Sequence, residues 1–181
     1  MASSRKKVIV RRFSPGPVWG YLDTTGFIQP SPSPMLDLLD LSGRVQPMPL
    51  ADVKYVAYVR DFNTADQLQP ERLLRKTFLA RPRTEGLWLR LTLRDGDKIE
   101  GLAPLDITLA DGWAIDLGVQ LVPPDIRANT QRLYIPRLAI ESMETLAVVT
   151  TPSRTKKPES VAKEPQPDLF SMELPPDSRP H

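Results

Sequence analysis

The two halves of the chain repeat one pattern of apolar residues, glycines and prolines, and this repeat limits the folds that are available. The segment VIVRRFSPGPVWGYL at 8–22 aligns with LRLTLRDGDKIEGLA at 89–103, at a constant offset of 81 residues. Further along, PLADV at 49–53 aligns with PRLAI at 136–140, at an offset of 87 residues. Because self-similarity of this kind marks repeated structural units, the sequence predicts one arrangement of elements used twice.

Each half has the pattern of a series of short β-strands. In LWLRLTL at 87–93, leucines alternate with other residues, and this period of two indicates a half-buried strand. The Asp-Gly pair at 95–96 is typical of the turn in a hairpin. Gly20 and Gly101 fall at equivalent positions in the second strand of each half, where we expect the strand to bend sharply.

A flat sheet of five short strands would leave open edges and one apolar face in water. Curling each sheet into a small barrel covers that face and removes most of the edge. The sequence therefore predicts a mostly β fold with two tandem five-stranded barrels. The predicted organisation is a basic arm at 1–6, a first barrel at 7–62, a connector at 63–86, a second barrel at 87–149 and a Pro-rich tail at 150–181.

The connector has two interpretations. Leu73, Leu74 and Phe78 lie at helical spacing, and the Pro-Glu pair at 70–71 is a plausible helix start, so a short helix is predicted. The alternative is an extended arm that runs alongside the next strand. The tail at 150–181 is different, because it is rich in Pro, Ser and mixed charge and poor in large apolar residues. Such a composition predicts disorder.

Two segments of the second half carry a family resemblance. DGDKIEG at 95–101 and YIPRLAIESMETLAVV at 134–149 resemble the Sm and Sm-like small β-barrels, including bacterial Hfq. SH3-like barrels share the same strand count. The first half looks like the same design, so the resemblance covers 7–149, and the two halves together resemble uncharacterised bacterial proteins with tandem copies of this barrel.

The resemblance implies RNA binding through rings of barrels. The RNA-contacting positions of that family are an Asp, an aromatic residue and an Asn after the second strand, and an Arg-Gly or Lys-His element near the fourth. Asp106 lies close to the first position, but residues 107–109 do not supply the Asn. Arg132 is the only candidate for the second element. The resemblance therefore extends to the fold more than to the RNA site.

Catalysis is hard to place in this chain. There is no cysteine, and the single histidine, His181, ends the tail. Thiolate chemistry, a Cys-type zinc site and a Ser-His or Cys-His nucleophile are therefore not expected. Asp95 and Asp97 are predicted to be solvated surface groups, since a general acid would need burial to shift its pKa. We predict no enzyme activity and no cofactor or metal.

Positive charge is concentrated locally although the net charge is only +2. The basic N-terminus and the connector could form a phosphate-binding patch, with Trp19 or Trp88 to stack on bases. The alternative is a set of solvated surface charges. The predicted nucleic-acid-binding residues are Arg5, Lys6, Lys7, Arg11, Arg12, Arg72, Arg75 and Arg132, and Lys76, Arg81 and Arg83 lie in the same connector.

The tail contains the sequence QPDLF at 166–170, which resembles the pentapeptide by which bacterial proteins bind the sliding clamp. In this interpretation Leu169 and Phe170 enter an apolar pocket, Gln166 forms a hydrogen bond at a second point, and Asp168 matches the third motif position. The first functional hypothesis is a non-enzymatic adaptor whose tail recruits a protein partner. The alternative is a regulator of Sm-like type that binds RNA or DNA. With no apolar run of membrane-spanning length, the expected location is the cytoplasm.

Overall fold

The computed structural model describes residues 5–23, 28–29, 32–105, 118–125 and 127–150, and these residues form a mostly β protein. The strands are β1 Lys6–Arg12, β2 Val18–Leu22, β3 Ile28–Gln29, β4 Met35–Leu39, β5 Val45–Pro49, β6 Val53–Val59, β7 Gly86–Leu93, β8 Lys98–Ala103, β9 Gly118–Leu121, β10 Thr130–Pro136 and β11 Ile140–Val149. Short 3-10 turns at Leu50–Asp52 and Arg137–Ala139 lead into β6 and β11. The chain divides into a compact unit, Met1–Thr151, and a second unit, Pro152–His181.

The strands pair into two antiparallel sheets. The larger sheet has the order β3-β4-β2-β1-β6-β10-β9, with β5 paired to β4, and the smaller sheet has the order β11-β7-β8. Each half thus places its last strand beside its first: β6 beside β1, and β11 beside β7. The halves are joined where β6 pairs with β10, with Ala57 opposite Leu133 and Val56 opposite Tyr134. Among the described residues no sheet closes into a barrel, so the two barrels stay a prediction.

Strand β1 is buried on both of its faces. Val8 and Val10 belong to a core cluster formed mainly by the first half, whereas Ile9 belongs to a second cluster that includes most of the second half. All three side chains are fully buried. Strand β6 is likewise buried along its whole length. These two strands therefore form a wall shared by the two cores, which explains why the central residues of both are apolar on both faces.

The equivalent glycines mark points where strands approach each other closely. A Cβ atom on Gly20 would lie 2.5 Å from the carbonyl oxygen of Leu39, and a Cβ atom on Gly101 would lie 2.7 Å from the Cβ of Leu121. Neither glycine has a positive φ angle. The physical requirement is therefore space for the neighbouring strand, which only glycine leaves.

The predicted helix in the connector is wrong. Residues 63–85 contain turns and irregular backbone but no helix. Asn63 and Arg72 have positive φ angles of 45° and 47°, which no right-handed helix contains. The connector instead follows the surface of the strands, as in the alternative interpretation, and the backbone N–H of Glu100 in β8 donates to the carbonyl of Lys76 at 2.6 Å.

Candidate connector groove

The connector is fixed at its midpoint by a buried carboxylate, that of Glu71. Arg11 of β1 donates to both carboxylate oxygens, through Nη2 at 2.6 and 2.7 Å and Nε at 3.0 Å. The hydroxyl of Tyr55 in β6 donates to the same carboxylate at 2.8 Å. Thr130 of β10 donates to the Glu71 carbonyl at 2.6 Å. Three strands from both halves thus meet at one connector residue.

These contacts explain the direction in which the pKa values of Tyr55 and Arg11 are shifted. Burial raises the pKa of Tyr55, and the adjacent Glu71 carboxylate raises it further. Burial lowers the pKa of Arg11, but its hydrogen bonds to Glu71 outweigh that effect and raise the pKa overall. The phenol therefore stays protonated and the guanidinium charged at neutral pH. With both carboxylate oxygens bound to donors, the cluster is suited to holding the fold rather than to moving protons.

A second buried carboxylate, Glu100 in β8, fixes the next part of the connector. The backbone N–H of Phe78 donates to its Oε2 at 3.0 Å, and Trp88 Nε1 donates to the same oxygen at 3.2 Å. Arg90 of β7 donates to Oε1 from Nη2 at 2.9 Å and from Nε at 3.0 Å. Burial acts to raise the pKa of Glu100, but these donors together lower it. The carboxylate is therefore ionised at neutral pH and holds Phe78 in place.

The carboxylates of the 95–96 hairpin lie at the surface, as predicted, with 38% of each side chain exposed, but both are held in ion pairs. Lys54 at the start of β6 donates to both Asp95 and Asp97, the latter at 2.6 Å, and Lys76 of the connector donates to Asp97 at 2.8 Å. The hydrogen bonds from Lys54 and then Lys76 lower the pKa of Asp97. Sequence patterning missed this arrangement because Lys54 and the hairpin are far apart in the chain.

Beyond these anchors, the connector forms one side of an open groove with a volume of about 300 Å³. The opposite side is formed by Leu102 of β8 and by the segment Val122–Pro124 after β9. This side is one continuous wall, because Leu102 and Val122 exchange backbone hydrogen bonds at 3.0 and 2.9 Å. The connector residues lining the groove are Arg75, Phe78, Leu79, Ala80, Arg81, Pro82, Arg83 and Thr84. We call this site the connector groove.

Three exposed arginines, Arg75, Arg81 and Arg83, border the connector groove. Within the described part of the chain, no carboxylate forms an ion pair with any of them. The groove also has apolar surface, since Phe78 packs edge-on against Trp88 with ring centroids 5.6 Å apart. Leu79 beside it is 81% exposed. Unpaired guanidinium groups beside apolar surface are the combination expected for a ligand that carries both phosphates and planar rings.

Most of the other predicted nucleic-acid-binding residues have internal partners. Arg5 pairs with Asp23 at 3.7 Å, Lys7 with Asp61 at 3.3 Å, and Arg11 with Glu71. Arg12 donates to the Gly16 carbonyl at 3.3 Å, and Arg132 donates to Gln120 at 3.2 Å. The guanidinium of Arg11 is thus used within the fold, and its contact with nucleic acid stays a prediction.

The remaining predicted basic residues are exposed to solvent, whereas the two predicted tryptophans are bound within the protein. Lys6 and Arg72 are exposed, and Arg75 lies in the connector groove. Trp19 donates to the Phe62 carbonyl at 2.9 Å, and Trp88 is bound to Glu100. Their indole N–H groups are thus used in hydrogen bonds within the protein. The wall formed by Leu102 and the Val122–Pro124 segment was not predicted, and no local pattern marks it, because it exists only once β8 and β9 are adjacent.

Several predicted positions lie outside the described residues. These are the tail motif residues Gln166, Asp168, Leu169 and Phe170, together with Asp106 and residues 107–109. Among the residues that are described, no cluster of three or more His, Cys, Asp or Glu side chains has the arrangement of a metal site. In the same part of the chain, no helix is long and apolar enough to cross a membrane.

Comparison with known proteins gives one match. A family model described as a family of unknown function (DUF6982) matches residues 4–147. No curated protein and no solved structure matches the chain. The matched range includes both halves of the repeat and the whole connector groove.

Proposed function

The chain belongs to that family of unknown function, and we propose that it is a non-enzymatic binding protein that holds single-stranded nucleic acid in the connector groove. The observation behind this proposal is the set of three exposed arginines, Arg75, Arg81 and Arg83, around one groove. Guanidinium groups bind phosphate oxygens through paired hydrogen bonds. The net charge of +2 is too small to attract a polyanion by itself, so a local cluster is needed.

A single strand fits this surface better than a duplex. Sequence-tolerant binding of single strands combines a positively charged groove with aromatic or guanidinium surfaces on which bases stack. The connector groove offers arginines together with Phe78 and the exposed Leu79. Reading duplex DNA usually requires a helix or a β-ribbon that enters the major groove. Within the described residues, the connector that carries the three arginines forms neither a helix nor a strand, and the connector groove is concave.

We further propose that each half is a small barrel of the Sm or SH3-like type. The pairing order supports this: the first half runs β6-β1-β2-β4-β5, and the second half runs β11-β7-β8. In the second half, the Leu102–Val122 bridge continues the order from β8 towards β9, which pairs with β10. In this arrangement the connector groove lies at the junction of the second and third strands of the second barrel.

The direct test is a fluorescence anisotropy titration of the full chain with labelled oligothymidine and oligouridine. Replacing Arg75, Arg81 and Arg83 together by Gln is expected to weaken binding roughly tenfold or more, since phosphate contacts dominate the affinity. A charge-matched control replaces Arg5, Lys6 and Arg12 by Gln and is expected to bind within about twofold of the wild type. Equal weakening by the two triple variants would refute the connector groove as the binding site, and so would wild-type affinity in the variant that lacks its three arginines.

A second proposed function is recruitment of a protein partner by the tail, with the sliding clamp as the first candidate. It is favoured by the division of the chain, because the QPDLF motif lies in the separate unit Pro152–His181 and beyond the end of the family match at residue 147. Purified sliding clamp should bind the full chain but neither the 1–151 truncation nor a variant with Leu169→Ala and Phe170→Ala. Equal binding by the full chain and the double variant would eliminate the motif.

A further inference from the structure

Strands β5 and β11 each have one edge unpaired among the described residues, and the two edges differ in how readily they can accept another strand. Strand β5 pairs only with β4, and strand β11 pairs only with β7. By their place in the repeat, β5 corresponds to β10 and β11 corresponds to β6. The pair β6–β10 already joins the two halves through such edges. An unpaired edge carries backbone donors and acceptors that can receive another strand.

The edge of β5 is blocked by proline. The backbone N–H of Leu50 donates to the carbonyl of Pro34, across the pair formed by Met35 and Pro49. In an antiparallel ladder this bond identifies Met35–Pro49 as a non-hydrogen-bonded pair. The backbone N and C=O of each residue in such a pair point away from the partner strand. Because the pattern alternates, Pro47 also directs its nitrogen to the free edge. Neither proline has an N–H group, so two of the three outward positions on β5 cannot donate.

The edge of β11 has no such block. Its ten residues, Ile140–Val149, contain no proline, so each carries a backbone N–H group. Five of its side chains are exposed, and Val148 is 54% exposed. Ten residues is long for a strand at a sheet edge, and its pairing with β7 is regular from Ser142 to Thr145 and from Ala147 to Val149, with a register shift before each stretch. Strand β6, its counterpart in the first half, is paired on both edges and fully buried.

The sequence of β11 indicates which partner fits. The first half of the strand carries both of its charges, Glu141 and Glu144, and the second half, Leu146–Val149, is apolar. If a second copy of β11 pairs antiparallel, the acidic half of one strand faces the apolar half of the other. The glutamates then stay apart, whereas a parallel arrangement would place like charges side by side, which is unfavourable.

We infer that two copies of the chain pair through antiparallel β11 strands, so that the two three-stranded sheets join into one six-stranded sheet about a twofold axis. Such an interface is self-complementary and closes at two copies. Addition of β5 from another copy to β11 would instead produce open chains or rings, and Pro47 and Pro49 disfavour it. The dimer presents two connector grooves, but the inference does not depend on what those grooves bind.

The test compares two substitutions at one site by sedimentation velocity across a concentration series. The wild type is expected to sediment as a dimer, with twice the chain mass of 20.3 kDa. Val148→Asp places a negative charge opposite the acidic half of the partner strand and should weaken dimerisation at least tenfold relative to Val148→Lys. Both variants remove the same exposed apolar side chain, so a difference between them reports the charge of the partner strand rather than folding.

Three results would overturn the inference. The first is a wild-type protein that stays monomeric at every concentration measured. The second is assembly of three or more copies, which would favour addition at β5. The third is equal dimerisation by Val148→Asp and Val148→Lys.

Discussion

Strand β1 and the connector are both rich in positive charge, but among the described residues the connector alone has a cluster of arginines without acidic partners. Arg11 and Lys7 of β1 are paired with Glu71 and Asp61. In the connector, Lys76 has an acidic partner, whereas the arginines that border the connector groove have none within the described part of the chain. The difference teaches that charge density along a sequence does not identify a binding surface. What matters is whether the fold brings a carboxylate to each cation.

The largest expected effect comes from breaking the buried pair of β1. Arg11→Ala leaves the Glu71 carboxylate buried without its main partner, and removing one member of a buried ion pair costs about 4 kcal/mol. Urea unfolding followed by circular dichroism measures the loss. Lys6→Ala is the control, because Lys6 is exposed, and it should change the free energy of unfolding by less than about 0.5 kcal/mol. A loss below about 1 kcal/mol for Arg11→Ala would show that Arg11 contributes little to stability and is available to bind a ligand.

A smaller loss of stability is expected at the second carboxylate. Glu100→Gln keeps the shape of the side chain but removes the charge that binds Arg90, Trp88 and the Phe78 N–H. Because hydrogen bonds to a charged group are worth about 1.5 to 3 kcal/mol each in net terms and Gln can keep some of them, we expect a loss of about 2 to 3 kcal/mol. Since Phe78 lines the connector groove, the same variant should also weaken oligonucleotide binding. Unchanged stability would show that the connector is held elsewhere.

Acidification should weaken the hairpin contact in a defined direction. The pKa of Asp97 is lowered in the folded protein, first by Lys54 and then by Lys76, from a reference value of 3.8. The unfolded chain therefore binds the proton at higher pH, and the stabilisation present above that value is lost as the pH falls through the lowered pKa. The difference in unfolding free energy between wild type and Asp97→Asn should shrink as the pH falls from about 6 to 3. A constant difference would exclude this linkage.

The smallest effect on stability is expected in the connector groove itself. Arg75, Arg81 and Arg83 have no ion-pair partner among the described residues, so replacing all three by Gln should change the free energy of unfolding by no more than about 0.5 kcal/mol. Thermal or urea unfolding checks this. A loss larger than about 1 kcal/mol would give these arginines a structural role like that of Arg11.

Much of the strand arrangement could be predicted from local pattern. The alternating leucines of β7 are buried at 89, 91 and 93, and the equivalent prolines Pro49 and Pro136 both lead into a 3-10 turn and then a strand. Such features depend on residues close together in the chain.

The features that could not be predicted depend on distant contacts. The helical spacing of Leu73, Leu74 and Phe78 did not produce a helix, because Glu71 and Phe78 are bound to strands instead. The burial of Ile9 on the second face of β1 depends on a core formed largely by the other half. The groove wall at Leu102 exists only because β8 and β9 are adjacent. Local sequence patterns do not show which distant residues come into contact.

The most direct test of the central claim is the salt dependence of oligothymidine binding. Each phosphate contact to a single strand contributes about 0.7 to the slope of log affinity against log salt concentration. If the three arginines of the connector groove contact phosphates, replacing them by Gln should reduce the slope by about 2, and replacing Arg5, Lys6 and Arg12 should leave it unchanged. An equal slope for the wild type and the groove variant would contradict the account and place the nucleic acid on another surface.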